Sequence, residues 1–156
     1  MIFIAGCSPA VKLYDEFSCE RFYVNLDTGT LNGLSPSASA SEIKSMLPCH
    51  YENKDKTTVC GEMVDYSEKG FIFFITNDFI RITENYSGDF SEFIIGLNER
   101  AVNEKLGSPV KTEYFSDAGY KLYETGFGTV VLKFENGLVN QLDIYHKPPD
   151  QTEICF

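Results

Sequence analysis

Ser39-Ala40-Ser41-Glu42-Ile43-Lys44-Ser45-Met46-Leu47 has a counterpart further along the chain, Asn98-Glu99-Arg100-Ala101-Val102-Asn103-Glu104-Lys105-Leu106. Ser39 and Asn98, Ile43 and Val102, and Leu47 and Leu106 are each separated by 59 positions. Both stretches open on a residue whose side chain caps free helix amides, and Glu42 completes a capping box with Ser39. Ile43 and Leu47 share one helical face with Met46 beside them; Val102 and Leu106 face the core in the second stretch. Pro48 ends the first helix, and Gly107, with Pro109 beyond it, ends the second. A polar loop and then strand hairpins follow each helix. The chain therefore reads as a duplicated unit.

Strand patterns surround the two helices. Arg21 to Leu31 alternates Phe22, Val24 and Leu26 with polar neighbours and turns at Asp27-Thr28-Gly29. Glu62 to Tyr66 leads through Ser67-Glu68-Lys69-Gly70 into Phe71-Ile72-Phe73-Phe74-Ile75, an unbroken apolar run that predicts a strand buried on both faces or central in the sheet. Phe79 to Thr83 follows Asn77-Asp78. In the second half Phe93-Ile94-Ile95, Lys111 to Phe115, Tyr120 to Glu124, Val130 to Phe134 and Leu138 to Tyr145 read as strands. Asn136-Gly137 favours a tight hairpin. Val130, Leu132 and Phe134 point one way and Val131, Lys133 and Glu135 the other, which predicts one buried and one wet face. Two helices are too few to cover both faces of seven or eight strands. The expected class is thus α+β: two tandem helix-plus-antiparallel-hairpin repeats sharing one sheet, with helices on one face and the other face exposed. The expected divisions are an N-terminal segment 1–20, a first repeat 21–86, a second repeat 87–147, and a tail 148–156 that is loose unless Cys155 is tied.

The 156 residues, 43% of them hydrophobic, suffice for a real core. Thirteen Phe suit that core, whereas nine Tyr exceed its needs and place some tyrosines toward water or a partner. A net charge of −10 argues against nucleic acid, which demands clustered Lys and Arg. It favours a basic protein partner through electrostatic steering, and equally serves plain solubility.

Ile4-Ala5-Gly6-Cys7 looks like a bacterial lipobox, in which Cys7 takes the lipid, although the apolar stretch before it is shorter than a secretory signal needs. The competing reading is an N-terminal strand ending at Gly6. No other run is long enough to cross a membrane. With Cys7 lipidated, Cys19, Cys49, Cys60 and Cys155 remain, an even number. Cys49 and Cys60 bracket a polar loop that a disulfide would close, and Cys19 and Cys155 stand near the two ends, which a second disulfide would tie together. Export with disulfides and a cytosolic protein with five reduced thiols both stay open. The expected location is the cell envelope or periplasm, as a lipoprotein, with the cytoplasm as the alternative.

The segment from Phe90 through Phe93-Ile94-Ile95-Gly96-Leu97-Asn98 and Val102 to Leu106-Gly107-Ser108-Pro109 resembles a known pattern: strand, Gly, a long apolar residue, a capping residue, a short helix, then Leu-Gly and Pro. It is similar to the small outer-membrane assembly lipoproteins of the SmpA/OmlA type and to the beta-lactamase inhibitor protein (BLIP-like) family. The inhibitor family implies a tandem pair of such units sharing a concave sheet. It also implies a disulfide closing the loop after the first helix, as Cys49 and Cys60 would, and an Asp-Tyr contact pair that Asp65-Tyr66 matches in place. The first half departs from the pattern at Pro48 and in the longer lead-in at Ser35-Pro36. These departures bear on the target more than on the fold.

Catalytic patterns are absent from the sequence. His50 and His146 are the two histidines, and no phosphate-cradling Gly-rich loop precedes a helix. Carboxylates are scattered rather than paired for acid/base work. No Cys/His spacing suits a metal and no cofactor is implied. The expected function is a non-enzymatic protein that neutralises a partner, such as a basic toxin or secreted hydrolase, by steric occlusion. Tyr66, Tyr120, Tyr123 and Phe127 would supply contact area, and Asp65, Glu68, Asp117 and Glu124 would meet basic residues. The alternative is a structural envelope lipoprotein that serves an outer-membrane assembly machine and touches the membrane only through a lipid on Cys7.

Overall fold

The computed structural model describes residues 21–49 and 57–156. The expectations at Cys7, Cys19 and His50 lie outside them. One sheet dominates. Its eight strands are β3 (Thr57–Thr58), β4 (Gly61–Tyr66), β5 (Phe71–Phe74), β6 (Phe79–Thr83), β8 (Lys111–Phe115), β9 (Ala118–Thr125), β10 (Gly128–Glu135) and β11 (Leu138–Tyr145). They lie in the order β3-β4-β5-β6-β11-β10-β9-β8. All neighbours are antiparallel. A three-stranded sheet sits apart: β1 (Tyr23–Asn25) pairs antiparallel with β2 (Thr30–Leu31) and parallel with β7 (Asp89–Phe90).

Local chemistry sets these elements. Helix α1 (Ala40–Met46) begins at Ser39, where the capping box is complete: the Glu42 N–H donates to Ser39 Oγ, and Ser39 N–H donates to the Glu42 carboxylate at 2.8 Å. Helix α2 (Glu99–Leu106) begins at Asn98, whose side-chain oxygen accepts from Ala101 N–H at 2.9 Å. Glu135 and Leu138 face each other across the loop Asn136-Gly137, whose φ values of 51° and 78° are those of a tight mirror-type hairpin turn.

This architecture corrects the expected α+β pair of helix-plus-hairpin repeats sharing one sheet. The fold is mainly β. The helices span seven and eight residues, and each fully buries a single apolar side chain, Ile43 and Val102. Helices that small patch a sheet; they do not organise a layer. The repeat pattern also fails in the small sheet, where β7 pairs with β1 from the far end of the other segment. The predicted strand at Phe93-Ile94-Ile95 does not form. Gly96 N–H and Leu97 C=O bond Val139 instead, which leaves Ile94 buried and Phe93 exposed.

Two apolar clusters sandwich the large sheet. On one face Val64, Phe71, Phe73, Ile80, Ile82, Val130, Leu132 and Ile144 pack with Ile43, Leu47, Val102 and the small sheet's Val24 and Leu31. On the other, Met63, Phe74, Phe79, Tyr120, Leu122, Val131 and Tyr145 pack with Ile154 and Cys155 of the tail. The second face is therefore not the open, wet surface that the alternation along β10 predicts: Val131 is buried, and only the Lys133 end reaches water.

The tail is tied, and it shows that the sheet curls. Cys60 and Cys155 form a disulfide with a Cα–Cα distance of 5.7 Å, and Phe156 stacks on Phe115 of β8 at 4.7 Å. A flat sheet would hold the β4 and β8 edges roughly 29 Å apart. The path from Cys60 through Cys155 and Phe156 to Phe115 reaches no more than about 22 Å. The sheet must roll toward the tail, in keeping with strand twist, so the tail lies on its concave side. The observed pairing also corrects the expected links of Cys49 to Cys60 and of Cys19 to Cys155. Cys49 is disulfide-bonded as well, but not to Cys60. Sequence proximity favoured the short loop, whereas the sheet's curl brings partners 95 residues apart into bonding range.

Candidate functional site

Among the described residues the hairpin of β8 and β9 ends one side of the large sheet, with β8 as the edge strand. Its register, Glu113 opposite Tyr120 and Phe115 opposite Ala118, turns Lys111, Glu113, Phe115, Ala118, Tyr120 and Glu124 toward the concave side. Lys111 pairs with Glu113, and Lys133 with Glu135. Lys133 and Asn140 hydrogen-bond Glu135 and hold its carboxyl below the usual range. Ser116 takes a φ of 57° at the hairpin tip and leaves Asp117 exposed. Between this tip and the β10–β11 turn lies an open cleft of about 520 Å³, lined by Phe115, Asp117, Tyr120, Lys133 and Asn136 among others.

Large apolar side chains are exposed around this end. Tyr114 is 78% exposed, Phe115 54%, Val110 53% and Phe156 42%. Phe156 stacks on Phe115 and meets the Tyr120 ring edge-on at 4.9 Å. A strand edge with unpaired backbone groups beside exposed aromatics is a ready template for another chain.

The predicted contact residues divide. Asp117 and Glu124 are exposed on the β8–β9 hairpin, and Glu68 is exposed on the 3₁₀ turn Ser67–Lys69. Tyr120 is buried on the concave side beneath Phe156. Tyr66 and Tyr123 are buried on the opposite face, in the main core. The Tyr66 hydroxyl donates to the Leu47 carbonyl at 2.6 Å and so closes the end of α1. The Tyr123 hydroxyl donates to Asn103 Oδ1 at 3.0 Å and ties α2 to β9. Burial, helped by the Glu99 charge, pushes the Tyr123 phenol up to about 12. Asp65 is buried and accepts the Ser67 N–H at 2.7 Å. Phe127 is half-buried against His146. The structure thus gathers Asp117, Tyr120 and Glu124 on one hairpin and places Tyr66 and Tyr123 where they serve packing.

Val110, Tyr114, Phe115 and Phe156 are the residues that sequence reasoning missed. The strand Lys111–Phe115 is legible in the sequence, but its edge position is a property of the sheet order. His146 Nε2 lies 3.0 and 2.9 Å from the carbonyls of Thr28 and Gly29. Two acceptors require a donor, so that nitrogen carries its proton and latches the β1–β2 turn to the large sheet. Among the described residues no group of His, Cys, Asp and Glu is placed to hold a metal ion, and no helix is long and apolar enough to cross a membrane. No protein-family model, curated protein or solved structure matches this chain.

Proposed function

We propose that this chain is a non-enzymatic binding protein that neutralises a partner protein by covering its working surface, in the manner of an inhibitor or a toxin-immunity protein. The observation that carries the reading is β8, the edge strand of the large sheet among the described residues, with Tyr114, Phe115 and Val110 exposed on and beside it. An edge strand adds main-chain pairing to a bound segment, and rigid aromatics supply contact area at low entropic cost. The exposed carboxylates of Asp117 and Glu124, within a chain of net charge −10, match a basic partner. The test has two steps. The chain is first used to capture a partner from cells of its own source, with Tyr114→Ala/Phe115→Ala as the impaired bait and Met46→Ala, exposed on the helix α1 that packs on the other face of the sheet, as the control. The purified partner's own activity is then titrated with the chain. Loss of that activity at stoichiometric ratio supports the reading. A partner that keeps full activity when bound, or recovery of outer-membrane assembly components alone, refutes it.

The second reading is a structural envelope lipoprotein that serves an outer-membrane assembly machine. The disulfides favour it, because such bonds persist in oxidising compartments, and so does the lipobox-like Ile4-Ala5-Gly6-Cys7. Both features support an envelope location, which an exported inhibitor would share. The capture experiment separates the two readings.

A further inference from the structure

Residues 148–156 cross the concave face without joining its ladder. After the 3₁₀ turn Pro149–Gln151, no backbone–backbone hydrogen bond among the described residues engages 153–156. Side chains hold them instead. Arg81 Nη2 donates to the Cys155 carbonyl at 2.7 Å, and the Tyr145 hydroxyl donates to the Glu153 carbonyl at 3.3 Å. Ile154 packs on the Phe74–Phe79–Tyr145 cluster, and Phe156 lies on Phe115 and Tyr120. The covalent fastening is Cys60–Cys155.

We propose that this tail is a redox-latched strap: reduction of Cys60–Cys155 lets it lift from the concave face while the eight-stranded sheet stays folded. Among the described residues, the sheet's pairing and the main core on the other face contain none from the tail. Departure strands no buried charge either, because Arg81 keeps both bonds to Asp143, at 2.9 and 2.8 Å, and the Cys155 carbonyl passes to water. Cys60 is buried and Cys155 only partly so, which leaves Cys155 as the sulfur open to attack. The reductant is a dithiol. Its thiolate attacks Cys155 Sγ, the S–S bond breaks, and the Cys60 thiolate leaves and takes up a proton. The reductant's second thiol then displaces Cys155 as a thiol, and the reductant departs as a disulfide, two electrons having passed to the protein. The strap uncovers an apolar groove with Arg81 at its centre.

The test compares the oxidised 156-residue chain with its Cys60→Ser/Cys155→Ser variant, in which the disulfide of Cys49 is retained. Backbone ¹⁵N order parameters are measured, together with binding of the apolar dye bis-ANS. In the variant, values for residues 152–156 fall from about 0.85 to below about 0.6, while β5 and β10 stay near about 0.85. Dye binding rises in parallel. Wild-type protein treated with a dithiol shows the same fall and recovers on reoxidation. Phe156→Ala in the oxidised chain keeps residues 152–155 ordered. The proposal is overturned if the variant's tail stays ordered, since side-chain contacts then suffice. It is also overturned if β5 and β10 loosen with the tail, since the bond is then a staple of the whole fold. Release by Phe156→Ala alone overturns it too, since the latch is then the aromatic stack.

Discussion

Replacing Phe79 by Ala tests whether the concave face is a true second core. Phe79 is fully buried, stacks on Phe74 at 4.4 Å and on Tyr145 at 4.9 Å, and lies beneath the Arg81 guanidinium. A buried Phe removes roughly 150–250 Å² from water, which at about 25 cal/mol per Å² amounts to about 4–6 kcal/mol gross. Measured Phe-to-Ala losses run to about 3–5 kcal/mol, and they depend on how far the site collapses. Here collapse is blocked. Phe74 and Tyr145 stand directly opposite Phe79 on β5 and β11, whose ladders fix their backbones. The expected loss is therefore at the top of the range, about 4–5 kcal/mol, whereas Phe79→Leu costs about 1.5 kcal/mol or less because most of the volume is kept. Urea unfolding followed by far-ultraviolet circular dichroism and tyrosine fluorescence reads both; the chain has nine Tyr and no Trp to mask them. A loss below about 2 kcal/mol for Phe79→Ala at unchanged m-value would refute the two-core description and return the concave face to solvent.

Other outcomes follow from the same structure. The Tyr123 phenol is raised in the folded state to about 12, against about 10 unfolded. Its contribution is therefore complete below about pH 10 and lost as the pH climbs through about 12. Tyr123→Phe should flatten that alkaline limb in urea midpoints taken across it, and an unchanged slope would remove Tyr123 as its source. Gly70 ends the 3₁₀ turn at φ 84°, and an added Cβ would come within 2.3 Å of the Tyr86 backbone nitrogen. Gly70→Ala should cost at least about 2–3 kcal/mol, against about 1 kcal/mol for Gly96→Ala, which has a similar φ and open space; equal losses in chemical denaturation would show that the clash is relieved. Asp117→Lys/Glu124→Lys should slow association with a captured basic partner by about tenfold at low salt and leave the circular dichroism unchanged. An unaltered association rate in stopped flow would mean that the partner docks elsewhere.

Elements whose signal is local are legible in the sequence alone. The caps at Ser39 and Asn98, the Asn136-Gly137 hairpin and the strands Phe79–Thr83, Lys111–Phe115 and Leu138–Tyr145 all stand where the sequence puts them. Each is marked by a cap, a turn dipeptide or an apolar alternation that a few neighbouring residues spell out. Asp117 and Glu124 are also legible as exposed acids, since turns and strand ends carry charge. The tyrosines are not. Tyr66 and Tyr123 each carry a hydroxyl bonded to an acceptor on another element, the buried Leu47 or the half-buried Asn103, and nothing in their own neighbourhood distinguishes them from a tyrosine facing water.

The sequence by itself determined where short helices start, where the chain turns, and which side of β10 carries Val130, Leu132 and Phe134. These follow from hydrogen bonds and side-chain alternation that a few neighbouring residues settle among themselves. Only the tertiary structure decided that the molecule is mainly β and that β8 is an edge. It also decided that Cys60 joins Cys155 and that the tail fills the concave face. Strand order and sheet curl are set by pairings between residues tens of positions apart, and composition and periodicity carry no record of which distant strands meet.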